Sequence, residues 1–166
     1  HSSYFGNDVA HFNTGTARWS ISDRPQFALD FNYDLSGPGP WAFNGDPWGN
    51  HNYHAYTYDP ARHRLIFIRN EYTHVYDPVT RTWPINERLS ANPFYGSKYT
   101  SNIIATPQGV VVWALRRRGS KTSGVWKLGP AGWNELDISG DALPLPITDG
   151  ATIAFDAKRN RLLNTT

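Results

Sequence analysis

The stretch from Tyr53 to Trp83 reads YHAYTYDPARHRLIFIRNEYTHVYDPVTRTW. Residues 53–59 place Tyr and Ala among His and Thr, the period-2 pattern of a half-buried strand. Asp59-Pro60-Ala61-Arg62-His63 interrupts it: Pro60 fixes its φ and offers no N–H, and Asp59 can fold back onto the turn. Arg64 to Arg69 (RLIFIR) is almost continuously apolar, which suits an inner strand covered on both faces. Asn70-Glu71 turn the chain, and Tyr72 to Asp77 (YTHVYD) alternates again. Pro78 to Arg81 form a further turn, and Thr82-Trp83 are expected to open a fourth strand. Such a four-stranded antiparallel sheet cannot bury its own faces and needs neighbours of its own kind.

Those neighbours are present in the sequence. Phe12-Asn13-Thr14-Gly15-Thr16-Ala17-Arg18-Trp19 lies in register against Tyr76 to Trp83. Each pair places a Trp seven residues after an aromatic, and Trp126 and Trp133 repeat that spacing. In all three the first aromatic is expected to end a third strand and the Trp to begin a fourth. Phe155-Asp156…Arg161-Leu162 repeats Tyr58-Asp59…Arg64-Leu65 in spacing. The order that follows is a half unit over 1–20, an insertion over 21–50, a full unit over 51–87, a linker, a full unit over 98–136, a second linker, and a half unit over 148–166. The fold class is therefore all-β. Two full and two half units make three, and propellers ordinarily close with at least four blades. The chain, which has no Met, is accordingly expected to be a segment of something longer, or one of several copies that complete a ring.

Composition agrees with this class. Of 166 residues, 7 are Trp, 9 Tyr and 8 Phe, with 14 Gly and 12 Pro and no long 3.6-residue periodicity. A net charge of +2 by itself predicts neither a nucleic-acid nor an acidic partner. The absence of cysteine excludes disulfides, Cys-ligated zinc and thiol catalysis within this chain. There is no apolar run long enough to span a membrane as a helix.

The aromatic-Asp-Pro turns, the Trp seven residues on, and Tyr58-Asp59-Pro60-x-Arg62-x-Arg64-Leu65 resemble kelch-type β-propeller repeats. His1-Ser2-Ser3-Tyr4-Phe5-Gly6-Asn7-Asp8-Val9 is similar to a segment of bacterial, often exported, kelch proteins of the galactose-oxidase-like superfamily. There a Gly-Gly pair precedes it. The pair usual after a second strand is replaced here by Arg69-Asn70 and Leu115-Arg116. The resemblance implies four-stranded blades, a secreted or periplasmic location, and a binding or scaffolding role toward a glycan or protein partner. Remaining blades would come from a longer chain or from other copies. The copper–radical cofactor of galactose oxidase needs a Cys–Tyr cross-link, which this chain cannot form. No cofactor or metal is expected.

Several side chains are candidates for chemistry. His1, Tyr4, Asn7, His51, His54, Arg69, Tyr72 and His74 fall near expected strand ends. His54, at the start of a first strand, would face the mouth of a propeller channel. With Arg69 and Tyr72 it could form a lyase site, in which Tyr or His removes a proton and Arg neutralises a uronate. His11 and His74 read first as structural, held by turns or neighbouring blades. Trp41 and Trp48 lie in a Gly- and Pro-rich insertion and suit stacking on sugar rings, or else plug a rim. Arg116, Arg117 and Arg118 form the densest charge run, at an expected hairpin tip, and read as a solvated tip or as an anion contact. Three readings follow: a binding module, a carbohydrate-active enzyme of lyase or oxidase type, and a structural subunit of a multi-chain ring.

Overall fold

The computed structural model describes residues 9–21, 55–69, 71–89, 91–96, 101–140, 145 and 152–165. Over these residues the chain is almost wholly β. Strands β1 (Ala10–Asn13) and β2 (Arg18–Ile21) form a first sheet. Strands β3 (Tyr56–Asp59), β4 (Arg64–Arg69) and β5 (Tyr72–Tyr76) form a second. The third is β6 (Ser101–Thr106), β7 (Gly109–Leu115), β8 (Ser123–Gly129) and β9 (Gly132–Glu135). The fourth is β10 (Thr152–Asp156) with β11 (Arg161–Thr165). Every pairing is antiparallel between consecutive strands. No helix among the described residues is long and apolar enough to cross a membrane.

One turn recurs four times, and its chemistry explains the repeated Asp. Asn13, Asp59, Asp77 and Asp156 pair across the turn with Arg18, Arg64, Thr82 and Arg161, leaving four residues in each loop. The Asn13 Oδ1 accepts from the N–H of Gly15 and Thr16, both at 2.9 Å. Asp59 Oδ1 accepts from Ala61 at 3.0 Å and Arg62 at 3.3 Å, and Asp77 Oδ1 from Val79 at 2.8 Å and Thr80 at 3.4 Å. Asp156 Oδ1 accepts from Arg159 at 3.1 Å. A short side-chain acceptor thus holds backbone donors that the ladder cannot reach. The last loop residue is left-handed each time: Ala17 (φ 52°), His63 (54°), Arg81 (58°) and Asn160 (51°).

The sheets stack face to face. Ile66, Ile68 and Val75 of the second sheet pack with Val110, Val112, Ala114, Trp126 and Leu128 of the third, around Phe94 and Ile103. The opposite face of the third sheet carries Val111, Trp113 and Val125, against Ile153 of the fourth. Alternation along β7 therefore sends odd and even residues into two different interfaces, which accounts for its unbroken apolar run. The first strands lie side by side, β3 beside β6 and β6 beside β10. The first sheet meets the second through His11 Nε2 and Tyr76 Oη at 3.0 Å.

Polar ties fix these interfaces. The Ala105 N–H donates to Thr57 Oγ1 at 3.1 Å. Trp133 Nε1 donates to the buried Thr73 Oγ1 at 2.8 Å, and Thr73 donates onward to Asn92 Oδ1 at 2.7 Å. Trp133, the second residue of β9, is thus bolted to the sheet before it.

Two expectations change. Thr82-Trp83 do not open a fourth strand of the second sheet: Thr82 makes a single bridge to Asp77, a 3-10 turn at Ile85–Glu87 follows, and Leu89 then bridges Thr73. Arg64 braces this irregular edge, donating to Glu87 Oε2 at 2.9 Å and lying 3.3 Å from Asp77. Trp126 and Trp133 also fail to match Tyr76 and Trp83. The third sheet turns in two residues, Gly129 pairing with Gly132, so Leu128 rather than Trp126 lies opposite Trp133. Trp126 sits two residues deeper in its strand, opposite Glu135. There Gly124 makes room for it: a Cβ on Gly124 would lie 2.7 Å from Trp126 Cη2 and 3.0 Å from Glu135 Oε1.

Candidate functional site

The turns just described lie at one edge of the stacked sheets, and the return loops lie at the other. At the turn edge Arg62, Arg64 and Arg159 are engaged by carboxylates. Arg62 pairs with Asp59 at 2.6 Å, Arg64 with Asp77 and Glu87, and Arg159 with Asp156 at 2.9 Å.

The opposite edge has a different charge balance. The β4–β5 hairpin ends there with Arg69 paired to Tyr72. The β7–β8 hairpin ends there with Leu115 paired to Ser123, and Arg116 N–H closes its loop on Thr122 O at 3.2 Å. Residues 91–96 join the two tips: Asn92 N–H donates to Glu71 O at 2.7 Å, and Tyr95 N–H to Leu115 O at 2.9 Å. Leu89 pairs with Thr73, which sets Arg88 alongside His74. Arg69 and the loop that carries Arg116, Arg117, Arg118 and Lys121 thereby lie at one edge, with Glu71 and Glu135 among the described acids there. Arg116 is committed, forming an ion pair with Glu135 and lying 6.0 Å from the centre of the Trp126 ring. Arg117, Arg118 and Lys121 are exposed, and the loop that carries them is shaped by Gly119 in a left-handed conformation (φ 74°) and by the Ser120 N–H donating to Arg117 O at 3.0 Å.

Beneath the β4–β5 tip, the face bearing Arg69 and Tyr72 continues into Phe67 and His74. The His74 ring is buried, with ring centres of Phe67, Tyr72 and Trp83 at 5.7, 6.4 and 6.3 Å. Burial, then the charges of Arg88 and Arg69, lower its pKa to about 3. The imidazole is therefore neutral at physiological pH, and two guanidiniums approach it. Burial also lowers the Arg69 pKa to about 10, still protonated at neutral pH.

Of the residues singled out in the sequence, Arg69, Tyr72 and His74 come together, and Arg116, Arg117 and Arg118 share their edge. Arg118 is exposed like Arg117; Arg116 is held by its acid. His1, Tyr4, Asn7, Trp41, Trp48, His51 and His54 lie outside the described residues. Among the described residues no three His, Asp or Glu side chains gather as a metal-ligand set. Three residues were missed. Arg88 fell in an expected linker, and only the long-range bridge of Leu89 to Thr73 reveals its place. Asn102 and Trp113 looked like ordinary strand residues; no sequence signal marks them.

Comparison with known proteins adds no relative: no family model, no curated protein and no solved structure matches this chain.

Proposed function

We propose that the chain is a binding module built of kelch-type propeller blades, and that its basic edge receives an acidic glycan. The observation that carries this reading is the exposed group Arg117, Arg118 and Lys121 on one hairpin loop, with Arg69 at the end of the neighbouring hairpin, while Arg62, Arg64 and Arg159 at the other edge are paired with carboxylates. Guanidinium groups offer planar paired donors suited to carboxylate or sulfate, and Tyr72 adds a hydroxyl and an aromatic face. The stacking of small antiparallel sheets with their first strands side by side supports the blade reading. Export to the periplasm or beyond belongs to the same proposal, since such polymers are met there. The lyase alternative rests on His54 together with Arg69 and Tyr72, and of these His54 lies outside the described residues.

The test is titration calorimetry with polygalacturonate and with a neutral glucan, at two salt concentrations. Polygalacturonate should bind and weaken as salt rises, because exposed charges are screened over about 10 Å at 0.1 M ionic strength. The variant R117E/R118E should lose at least tenfold in affinity. Equal binding to the neutral polymer, or full affinity in the variant, refutes the proposal.

A further inference from the structure

Behind the basic edge, on the face of the third sheet that meets the fourth, two polar atoms are buried without a hydrogen-bond partner: Asn102 Oδ1 and Trp113 Nε1. Asn102 is 4% exposed and Trp113 3%. They are direct cross-strand neighbours on β6 and β7, so their Cβ atoms are about 5 Å apart. Asn102 is one residue in from the start of β6, and Trp113 two residues in from the end of β7, so both lie close to the basic edge. Buried donors and acceptors are nearly always satisfied, and each exception asks for a cause. The rest of this face is an ordinary apolar contact of Val111, Val125 and Ile153. The indole offers a proton and the amide oxygen takes one. A hydroxyl group satisfies both together, accepting from Trp113 and donating to Asn102.

We infer that Asn102 and Trp113 form a hydroxyl-binding subsite that anchors one sugar of the acidic glycan whose charges lie on Arg117 and Arg118. This rests on the function proposed above. β7 connects the two parts directly: Arg117 follows Trp113 by four residues, a span of roughly 13 Å if extended, about the reach of a short oligosaccharide. The charged tip supplies attraction from a distance, and the buried pair supplies selection for a hydroxyl at a fixed offset from the acid group. A site of paired polar atoms rejects an analogue lacking the hydroxyl more strongly than an apolar pocket does.

The test uses trigalacturonate as probe and the Trp113 indole N–H resonance, assigned through Trp113→Phe. Addition of the probe should shift that resonance and slow its exchange with water. Asn102→Ala and Trp113→Phe should each weaken trigalacturonate about tenfold while leaving the salt dependence intact. The apolar double variant Asn102→Leu/Trp113→Phe should keep or raise its Tm and lose the same affinity. Binding of trigalacturonate that depends on Arg117 and Arg118 but leaves the indole resonance and both single variants unchanged overturns the subsite and spares the wider function. A fall in Tm of the double variant with unchanged affinity marks the pair as holding an ordered water for the fold, and also overturns it. Absence of binding to any polyanion removes the function itself.

Discussion

Replacing Thr73 by Val should loosen the joint between the second and third sheets. Val keeps the shape of Thr and removes only the hydroxyl. That hydroxyl is fully buried, accepts from Trp133 Nε1 at 2.8 Å and donates to Asn92 Oδ1 at 2.7 Å. Its loss leaves an indole N–H and an amide oxygen unpaired in a half-buried setting. Each such orphan costs about 1–3 kcal/mol. The more apolar Val recovers roughly 1 kcal/mol of transfer free energy. The net expectation is a loss of about 2 kcal/mol, or a Tm lower by about 4–8 °C for a chain of this size. Urea unfolding followed by tryptophan fluorescence reads it, with the midpoint falling and the slope unchanged. A loss below about 0.5 kcal/mol would show that the Trp133 bond does not hold the sheets together. The repeat supplies a converse. Trp83, like Trp133 a Trp that follows a turn, carries a buried Nε1 with no hydrogen-bond partner. Counting back from Phe12 as Thr73 is counted from Tyr76 leads to Val9. Val9→Thr should therefore gain about 1 kcal/mol, whereas a buried Val→Thr exchange elsewhere is expected to lose stability. A loss here would sink the equivalence of the two joints.

Three further outcomes follow from local chemistry. His74 binds its proton only near pH 3 in the folded chain, against 6.5 for an ordinary imidazole; below pH 6.5 the unfolded chain takes a proton that the native chain does not. Stability should fall by up to about 1.4 kcal/mol per pH unit as pH drops from 6.5 toward 3, and His74→Leu should flatten that part of the profile in unfolding experiments run at several pH values. His63→Gly and Arg81→Gly should each stabilise by about 1 kcal/mol, since both residues sit at left-handed φ; a drop in Tm would mean their side chains matter more than the backbone. Gly124→Ala should cost about 1–3 kcal/mol through collision with Trp126 and Glu135, and should disturb the Arg116–Glu135 pair, read as a loss of melting temperature.

The fold was legible where residues speak to near neighbours. The pattern Asp59…Arg64 and its copies announce a turn because Asp Oδ1 caps the loop's own backbone, an interaction within three residues. The run Arg64–Arg69 announced an inner strand because both its faces are covered. The sequence misled where turn length changed. Trp126…Trp133 has the spacing of Tyr76…Trp83, yet a two-residue turn in place of a four-residue one moves the aromatic two positions inward. Spacing along the chain cannot separate a longer strand with a shorter turn from its opposite. The failed fourth strand at Thr82-Trp83 has a similar origin: Pro84 lies just beyond and offers no ladder N–H, and the 3-10 turn at Ile85–Glu87 follows.

The site was less legible for a reason that follows from the same architecture. In a meander of short hairpins, residues that meet at one edge are separated in sequence by a whole hairpin. Arg69, at the end of β4, and Arg117, in the loop after β7, reach that edge from different hairpins, and nothing near either one refers to the other. The dense run Arg116-Arg117-Arg118 was visible, but its members take different roles. Arg116 continues the alternation of β7 after Ala114 and so falls on the face of Trp126 and Glu135, where it is consumed. Arg117 and Arg118 lie beyond the last paired residue and remain in solvent. Period-2 geometry therefore sorts one charged run into a structural arginine and two available ones. On that basis Arg116→Ala should lower stability and Arg117→Ala should not, while the effect on polyanion binding should run the other way; equal effects on both properties would mean that the edge does not separate holding from binding.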